Sequence, residues 1–177
     1  DPVSLSDPAA AGPTFTAPDD PGMLTFTLIV TDSWGLVSAP DEVVITVANQ
    51  APVAQAGTDQ SIDTLSLVTL DASLSSDPDG DLPLTYQWVQ TAGPAVTLSD
   101  PNVVMPTFTA PGDPAVLTFT LVVTDSLGLA SAPDEVVITV NNQAPVADDQ
   151  SIATAEDILY SDVLTASDAD DSLLEFA

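Results

Sequence analysis

Two long stretches of this chain have nearly the same sequence. Residues 3–54 align without a gap with residues 96–147, at a constant offset of 93 positions (96 − 3), and about three quarters of the aligned residues are identical. This period is too long for solenoid repeats of about 20–50 residues, and it suits whole β-sandwich domains of about 100 residues. We therefore predict a tandem array of units. Residues 49–140 form a complete unit, residues 1–48 the C-terminal part of one such unit, and residues 141–177 the N-terminal part of a further one.

The composition favours an all-β fold. Val, Ile and Thr, which favour strands, are abundant, and 16 Pro and 8 Gly interrupt the chain at short intervals. Residues 117–124 alternate apolar with mostly threonine side chains, as in a half-buried strand of an antiparallel sandwich. The candidate strands of the complete unit are 66–70, 85–90, 96–98, 107–109, 117–124 and 135–140.

Four residue types are absent from the chain. It has no Lys, Arg, His or Cys, and 27 Asp and Glu give it a formal net charge of −27. Nucleophilic systems that need a His base or a thiol are excluded, as is a Cys/His zinc site. We therefore predict that the chain is not an enzyme. No basic side chain can neutralise a phosphate, so nucleic acid is not an expected partner. The sequence has no apolar run of about 18 residues, so we expect no membrane span in this segment.

Several motifs of the complete unit resemble one family. APVAQAG, VTLDASLSSDPDGD, LTYQWVQTAGPAVTLSD and LTFTLVVTDSLGLASAPDEVVITV are similar to the polycystic-kidney-disease (PKD) type of immunoglobulin-like repeat of large bacterial and archaeal surface proteins. The tail from residue 142 resembles the start of a cadherin-like repeat. The resemblance implies tandem immunoglobulin-like antiparallel β-sandwich modules.

The resemblance also implies a place and a role. We expect an extracellular or cell-surface protein whose repeats contact their neighbours and form a stiff acidic stalk, filament or surface layer. The alternative is an adhesive or carbohydrate-binding accessory module of a secreted protein, with copies of itself or a surface polysaccharide as partner. Repeats of this class serve both roles, so the resemblance leaves the two open.

A calcium ion is the expected cofactor. Residues 77–81 (DPDGD) place three carboxylates at alternate positions of a glycine-containing turn, and Ca²⁺ prefers such oxygen ligands. The alternative is a solvated Asp-Gly turn without an ion. The resemblance implies a ligand set of Asn49, Asp77 or Asp79, and Asp125. Matching the partial units in the same way adds Asp32 on one side and Asn142, Asp168 and Asp170 on the other.

The two tryptophans differ in their setting. Trp88 shares a strand face with Leu84 and Tyr86, which predicts a core position, with a sugar platform as the alternative. Trp34 follows a turn, and its counterpart in the next repeat is Leu127. We expect Trp34 to form an apolar lid over the end of a sandwich; an exposed Trp34 that stacks on a sugar ring is the alternative.

Overall fold

The protein is built from short strands and turns, as the composition predicts. The computed structural model describes residues 3–151, 153–157, 159 and 165–171. Its strands are β1 (Gly22–Leu28), β2 (Asp41–Val47), β3 (Gln60–Asp63), β4 (Leu67–Thr69), β5 (Thr85–Ala92), β6 (Thr107–Thr109), β7 (Ala115–Thr124), β8 (Asp134–Asn141), β9 (Val146–Ala147) and β10 (Ala166–Ser167).

Strands β3 to β8 form a two-layer sandwich. One sheet has the order β3-β8-β7-β5, and the other pairs β4 with β6. Neighbouring strands are antiparallel except β3 and β8, which pair in parallel from Gln60 opposite Ile138 to Asp63 opposite Asn141. The sandwich is therefore antiparallel, as predicted, apart from this one edge.

The core lies between the two sheets. Leu117, Phe119, Leu121 and Val123 on β7 are fully buried, which confirms the face predicted from the alternating pattern. Trp88 on β5 is only 2% exposed and belongs to the same core, so its predicted core position is confirmed. The rings of Phe108 and Phe119 lie 5.0 Å apart across the sandwich.

One predicted strand is wrong, and one observed strand was not predicted. Residues 96–98 form no strand, although Val96 and Leu98 pack against the core. The Val96 amide donates to Gln90 Oε1 at 3.0 Å, so a side chain replaces a ladder partner. Strand β3 was not predicted because Ile62 is its only apolar residue.

The β1–β2 hairpin repeats the geometry of β7–β8. Gly22 pairs with Val47 and Ala115 pairs with Val140, which is the same register at an offset of 93 positions (115 − 22). Phe15 contacts Phe26 with ring centroids 5.1 Å apart, as Phe108 does Phe119. Strands β9 and β10 form a separate small pair. The division of the chain into three units stays a prediction.

Candidate functional site

The acidic turn, residues 77–81, folds around one carboxylate. Asp77 Oδ1 accepts the backbone N–H groups of Asp79 (3.1 Å), Gly80 (2.9 Å) and Asp81 (3.2 Å). Asp is favoured in such turns because its short side chain reaches the backbone two residues on. Gly80 has φ +85°, a conformation that glycine adopts without strain. The turn brings carboxylate oxygens of Asp77, Asp79 and Asp81 within 4.8 Å of one another.

The segment that leads into the sandwich is fastened to this turn. The backbone N–H of Gln50 donates to Asp79 Oδ2 at 2.8 Å, and Asn49 Nδ2 donates to Asp125 Oδ2 at 2.7 Å. Asp125 is buried in the β7–β8 turn, where its Oδ1 accepts two N–H groups of the same turn. The Ser126 amide donates to Asp81 O at 3.3 Å. The structure therefore brings the first predicted ligand set, Asn49 with the acidic turn and Asp125, to one end of the sandwich.

Three oxygen atoms of this cluster are buried and unpaired. Asn49 Oδ1, Asp77 Oδ2 and Asp81 Oδ2 have no hydrogen-bond partner among the described residues. A buried acceptor without a partner costs about 1–3 kcal/mol, and more when it is charged. Because the sequence contains no Lys, Arg or His, no basic side chain of this chain can offset that cost.

Burial, hydrogen bonds and neighbouring charges shift the pKa values of three carboxyl groups in this cluster. Burial raises the pKa of Asp81, and the negative charges of Asp79, Asp77 and Asp125 raise it further. Sharing of a proton with the adjacent Asp79 carboxyl is the main cause that lowers the pKa of Asp77; burial acts in the opposite direction, and the turn amides lower the pKa further. At Asp125 burial acts to raise the pKa, but the bonds from Asn49 and backbone amides outweigh it, and the pKa is lowered. A bound proton or cation would therefore relieve an unfavourable charge at Asp81, whereas the pKa values of Asp77 and Asp125 are lowered.

The donor set fits a hard cation. The three unpaired atoms of this cluster are all carboxylate or amide oxygens, and Ca²⁺ takes six to eight oxygen ligands in flexible geometries. The thiolate or imidazole ligands that zinc prefers are absent from the sequence. Asn49, Asp77, Asp79 and Asp81 are the residues that would hold such an ion, beside Asp125. Asp81 and the Gln50 amide were not in the predicted set, although Asp81 completes the D-x-D-x-D spacing.

The second predicted set is only partly assembled. Asp168 Oδ1 accepts the amides of Asp170 (2.9 Å) and Asp171 (3.1 Å), as Asp77 does in the acidic turn. Asp170 Oδ2 accepts the Gln143 amide at 2.8 Å, which matches the bond between Gln50 and Asp79. Asp170 Oδ1 is buried with no partner in the described structure. Asn142, however, donates to the neighbouring Gln143 O at 2.8 Å.

Asp32 stands apart from the other predicted ligands. Its Oδ1 accepts the amides of Trp34 (2.9 Å) and Leu36 (2.8 Å), so it builds the same turn as Asp125. Within residues 3–151, none of the other predicted ligands forms a hydrogen bond with it. The structure gives this position a turn-forming role.

Trp34 projects from that turn into solvent. It is 93% exposed, and its counterpart Leu127 is 52% exposed. The prediction of an apolar lid over the end of a sandwich is therefore wrong, because Trp34 is almost fully exposed and even the side chain at the equivalent position of the complete sandwich is half-exposed.

Comparison with known proteins adds the family. The model of the K319L-like PKD-domain family matches residues 56–140. The solved PKD domain of the KIAA 1837 protein is 31% identical over 53% of this chain and 90% of that domain, with a TM-score of 0.40. A nucleoside hydrolase-related hypothetical protein from Saccharophagus degradans, associated with carbohydrate metabolism, is 30% identical over 53% of this chain and 26% of that protein, with a TM-score of 0.42. The chain thus spans about a quarter of that relative. A search of the curated proteins gives no match.

Two packed sheets around a buried tryptophan define an immunoglobulin-like β-sandwich. The chain belongs to the PKD-domain family through residues 56–140. PKD domains are structural or adhesive modules, typically of extracellular proteins. The cadherin-like tail and the absence of enzymatic activity stay predictions. Among the described residues, no helix is long and apolar enough to cross a membrane.

Proposed function

We propose that this chain is a structural segment of an extracellular or cell-surface protein, in which calcium at the acidic turn stiffens the joint before the sandwich. The observation that carries the proposal is the set of three buried, unpaired oxygens on Asn49, Asp77 and Asp81. A stalk, filament or surface layer of tandem units, each in contact with its neighbours, is the assembly that we infer.

The position of the cluster supports a mechanical role for the ion. Asn49 and Gln50 belong to the segment that precedes the sandwich, whereas Asp79 and Asp125 lie within it. A cation among these oxygens would tie the incoming chain to two turns of the unit. The bond from Gln143 to Asp170, reinforced by Thr64 Oγ1 at 2.8 Å, supports the same kind of joint after the sandwich.

Calcium should stabilise the folded chain selectively. A ligand that binds only the folded state adds about 2.7 kcal/mol when its concentration is 100 times its dissociation constant. We expect the melting temperature to rise with Ca²⁺ and much less with Mg²⁺, which demands a stricter octahedral geometry. The measurement is thermal unfolding in chelator, calcium and magnesium at matched ionic strength. Equal shifts with both ions would indicate screening of the −27 charge and would refute a specific site.

The Asp81→Asn variant should be more stable than the parent chain without calcium and less stable than the parent chain with saturating calcium, as thermal unfolding at pH 7 measures. The raised pKa of Asp81 in the folded state means that its contribution to stability is present below the ordinary Asp pKa of about 3.9 and is lost as the pH rises through the folded-state value. At pH 7 without calcium, the variant should therefore be more stable than the parent chain. With calcium, the parent should gain more because the variant lacks one charged ligand.

The matched control is Asp100→Asn, which removes one exposed carboxylate between β5 and β6 and leaves an amide oxygen to accept the Asn102 N–H. This variant should leave the calcium-dependent shift unchanged. Equal behaviour of the two variants would attribute the effect of Asp81 to net charge alone.

The second candidate function is adhesion to carbohydrate, and exposed Trp34 is the observation that favours it. If Trp34 stacks on a sugar ring, Trp34→Ala should weaken retention on a surface polysaccharide by a few-fold to about tenfold, since aromatic stacking contributes about 0.5–1.5 kcal/mol. Affinity electrophoresis in gels that contain the polysaccharide measures this. Leu127→Ala, at the equivalent position, is the control. Equal mobility of the parent and both variants would exclude Trp34 as a sugar platform.

A further inference from the structure

We propose that the hydroxyl of Thr64 and the side-chain amide of Gln143 join in an ester bond within the chain, with Asp170 as the general base. The three groups meet at the joint after the sandwich. Gln143 Nε2 donates to Thr64 Oγ1 at 3.2 Å, and Thr64 Oγ1 donates to Asp170 Oδ2 at 2.8 Å. A hydroxyl nucleophile that is bonded to a base and contacts a carboxamide group is the arrangement that acyl transfer requires.

The composition of the chain leaves few side-chain pairs that can form a covalent cross-link. A disulfide needs Cys and an amide link between side chains needs Lys, and the sequence has neither. Hydroxyl and carboxamide groups remain, and they combine to an ester without an oxidant. Thr64 is suited to this reaction because it is only 2% exposed, so bulk water is kept away from the bond that its hydroxyl would form.

Hydrogen bonds hold each of the three groups in place. The Thr64 N–H donates to Asn141 O at 3.2 Å, which fixes the threonine beside the end of β8. The backbone N–H of Gln143 donates to Asp170 Oδ2 at 2.8 Å, and Asp168 Oδ1 accepts the Asp170 N–H at 2.9 Å. Such positioning gives intramolecular reactions effective concentrations of about 10⁵–10⁸ M, so that a weak electrophile such as a carboxamide can react.

The reaction needs no co-reactant. Asp170 takes the proton of the Thr64 hydroxyl while Oγ1 forms a bond to Gln143 Cδ, the carbon that carries Nε2. The same carboxyl group then returns the proton to Nε2; its Oδ1 is buried and has no partner among the described residues. The Cδ–Nε2 bond breaks, ammonia leaves, and Thr64 Oγ1 stays bonded to Cδ. The reaction occurs once in each chain.

The ester would close the sandwich into a covalent ring. Thr64 directly follows β3 and Gln143 follows β8, and these two strands pair in parallel at one edge of the larger sheet. The link would therefore span 79 positions of the chain (143 − 64) and hold its ends together when the strands separate. A cross-link of this kind stabilises mainly because it restricts the unfolded chain.

Intact-mass spectrometry of the full chain tests the proposal. After incubation in chelator, which keeps calcium away from Asp170, the denatured parent chain should weigh about 17 Da less than its sequence requires, because one ammonia molecule has left. Trypsin has no site in a chain without Lys or Arg, so a protease specific for acidic residues should release one linked peptide pair. The pair should contain Thr64 and Gln143, and hydroxylamine, which attacks esters faster than peptide bonds, should separate it.

Three variants assign the roles of the reacting groups. Thr64→Val keeps the shape of the side chain without its hydroxyl and should keep the full mass. Thr64→Ser keeps the hydroxyl and should still lose ammonia, which separates the loss of the nucleophile from a general disturbance of the fold. Asp170→Asn should lose ammonia about 10²–10⁴ times more slowly, since this is the usual contribution of a general base.

The matched control is Gln50→Glu. Gln50 is the counterpart of Gln143, 93 positions earlier (143 − 50), and its backbone N–H donates to Asp79 Oδ2 at 2.8 Å. The backbone contact is therefore the same at both joints, but Gln50 is exposed. This variant should lose ammonia as the parent chain does.

Four results would overturn the proposal. The first is a parent chain that keeps its full mass after prolonged incubation. The second is a loss of ammonia that Thr64→Val retains or that Gln50→Glu abolishes, which would place the reaction elsewhere in the chain. The third is a linked pair that joins residues other than Thr64 and Gln143. The fourth is an unchanged rate in Asp170→Asn, which would remove the general base. None of these results depends on calcium, so this proposal and the calcium site fail separately.

Discussion

Replacing Phe119 with alanine should destabilise the sandwich by about 3–5 kcal/mol, the usual cost of removing a fully buried aromatic side chain. Phe119 lies at the middle of β7 with no exposed surface. The substitution removes its ring contact with Phe108 on the second sheet and leaves a cavity between the two sheets. Urea unfolding followed by Trp88 fluorescence, in a Trp34→Phe background that leaves Trp88 as the one tryptophan, measures the change.

The sequence supplies its own control, because Phe26 is the same residue in the same motif. It keeps the equivalent ring contact with Phe15 but remains partly exposed. Phe26→Ala should therefore leave the Trp88 transition almost unchanged. A loss of stability as large as that of Phe119→Ala would contradict the difference in burial between the two hairpins.

The second large effect is expected at Gly93. It follows β5 with φ +91°, and a Cβ atom there would collide with Val116 O and lie 2.9 Å from Leu117 Cα. Both are backbone atoms of β7, which has a neighbour on each side and cannot shift easily. The left-handed conformation costs a non-glycine residue about 1–2 kcal/mol, and overpacking adds about 1–3. Gly93→Ala should therefore cost about 2–5 kcal/mol in chemical denaturation.

Gly128→Ala separates the two contributions. Gly128 has φ +89°, but a Cβ atom there would meet nothing within 4 Å. This variant should lose only the conformational part, about 1–2 kcal/mol. If both variants lost the same amount, the close approach of Gly93 to β7 would contribute nothing.

The sequence predicted the parts of the fold that follow from alternation. From Leu117 to Val123 on β7, every second residue is apolar and buried, so the pattern alone identified the inner face of the strand. Strand β3 escaped prediction because its pairing with β8 is decided by a partner almost 80 residues away. Residues 96–98 were predicted as a strand because Val96 and Leu98 alternate toward the core, where they are partly buried, but the Val96 amide bonds to the Gln90 side chain and not to a neighbouring strand.

The candidate site was predicted by residue type and not by environment. The D-x-D-x-D spacing and the resemblance to PKD repeats pointed to Asp77, Asp79 and Asp125, which the structure does bring together. Nothing in the sequence indicated that burial and the neighbouring negative charges would raise the pKa of Asp81 in particular. Nor did it separate Asp32, which builds a turn and forms no hydrogen bond with another predicted ligand within residues 3–151, from Asp125, which builds the same turn and accepts a bond from Asn49.

The parallel pairing of β3 with β8 determines how the sandwich meets a pulling force. The chain enters beside Asp79 and Asp125 and leaves after Asn141. Tension along the chain therefore draws β3 back toward the point of entry and β8 forward toward the point of exit. The hydrogen bonds between the two strands are then loaded in shear and resist together, whereas a hairpin pulled from its open end yields one bond at a time. A segment with this edge is suited to holding tension.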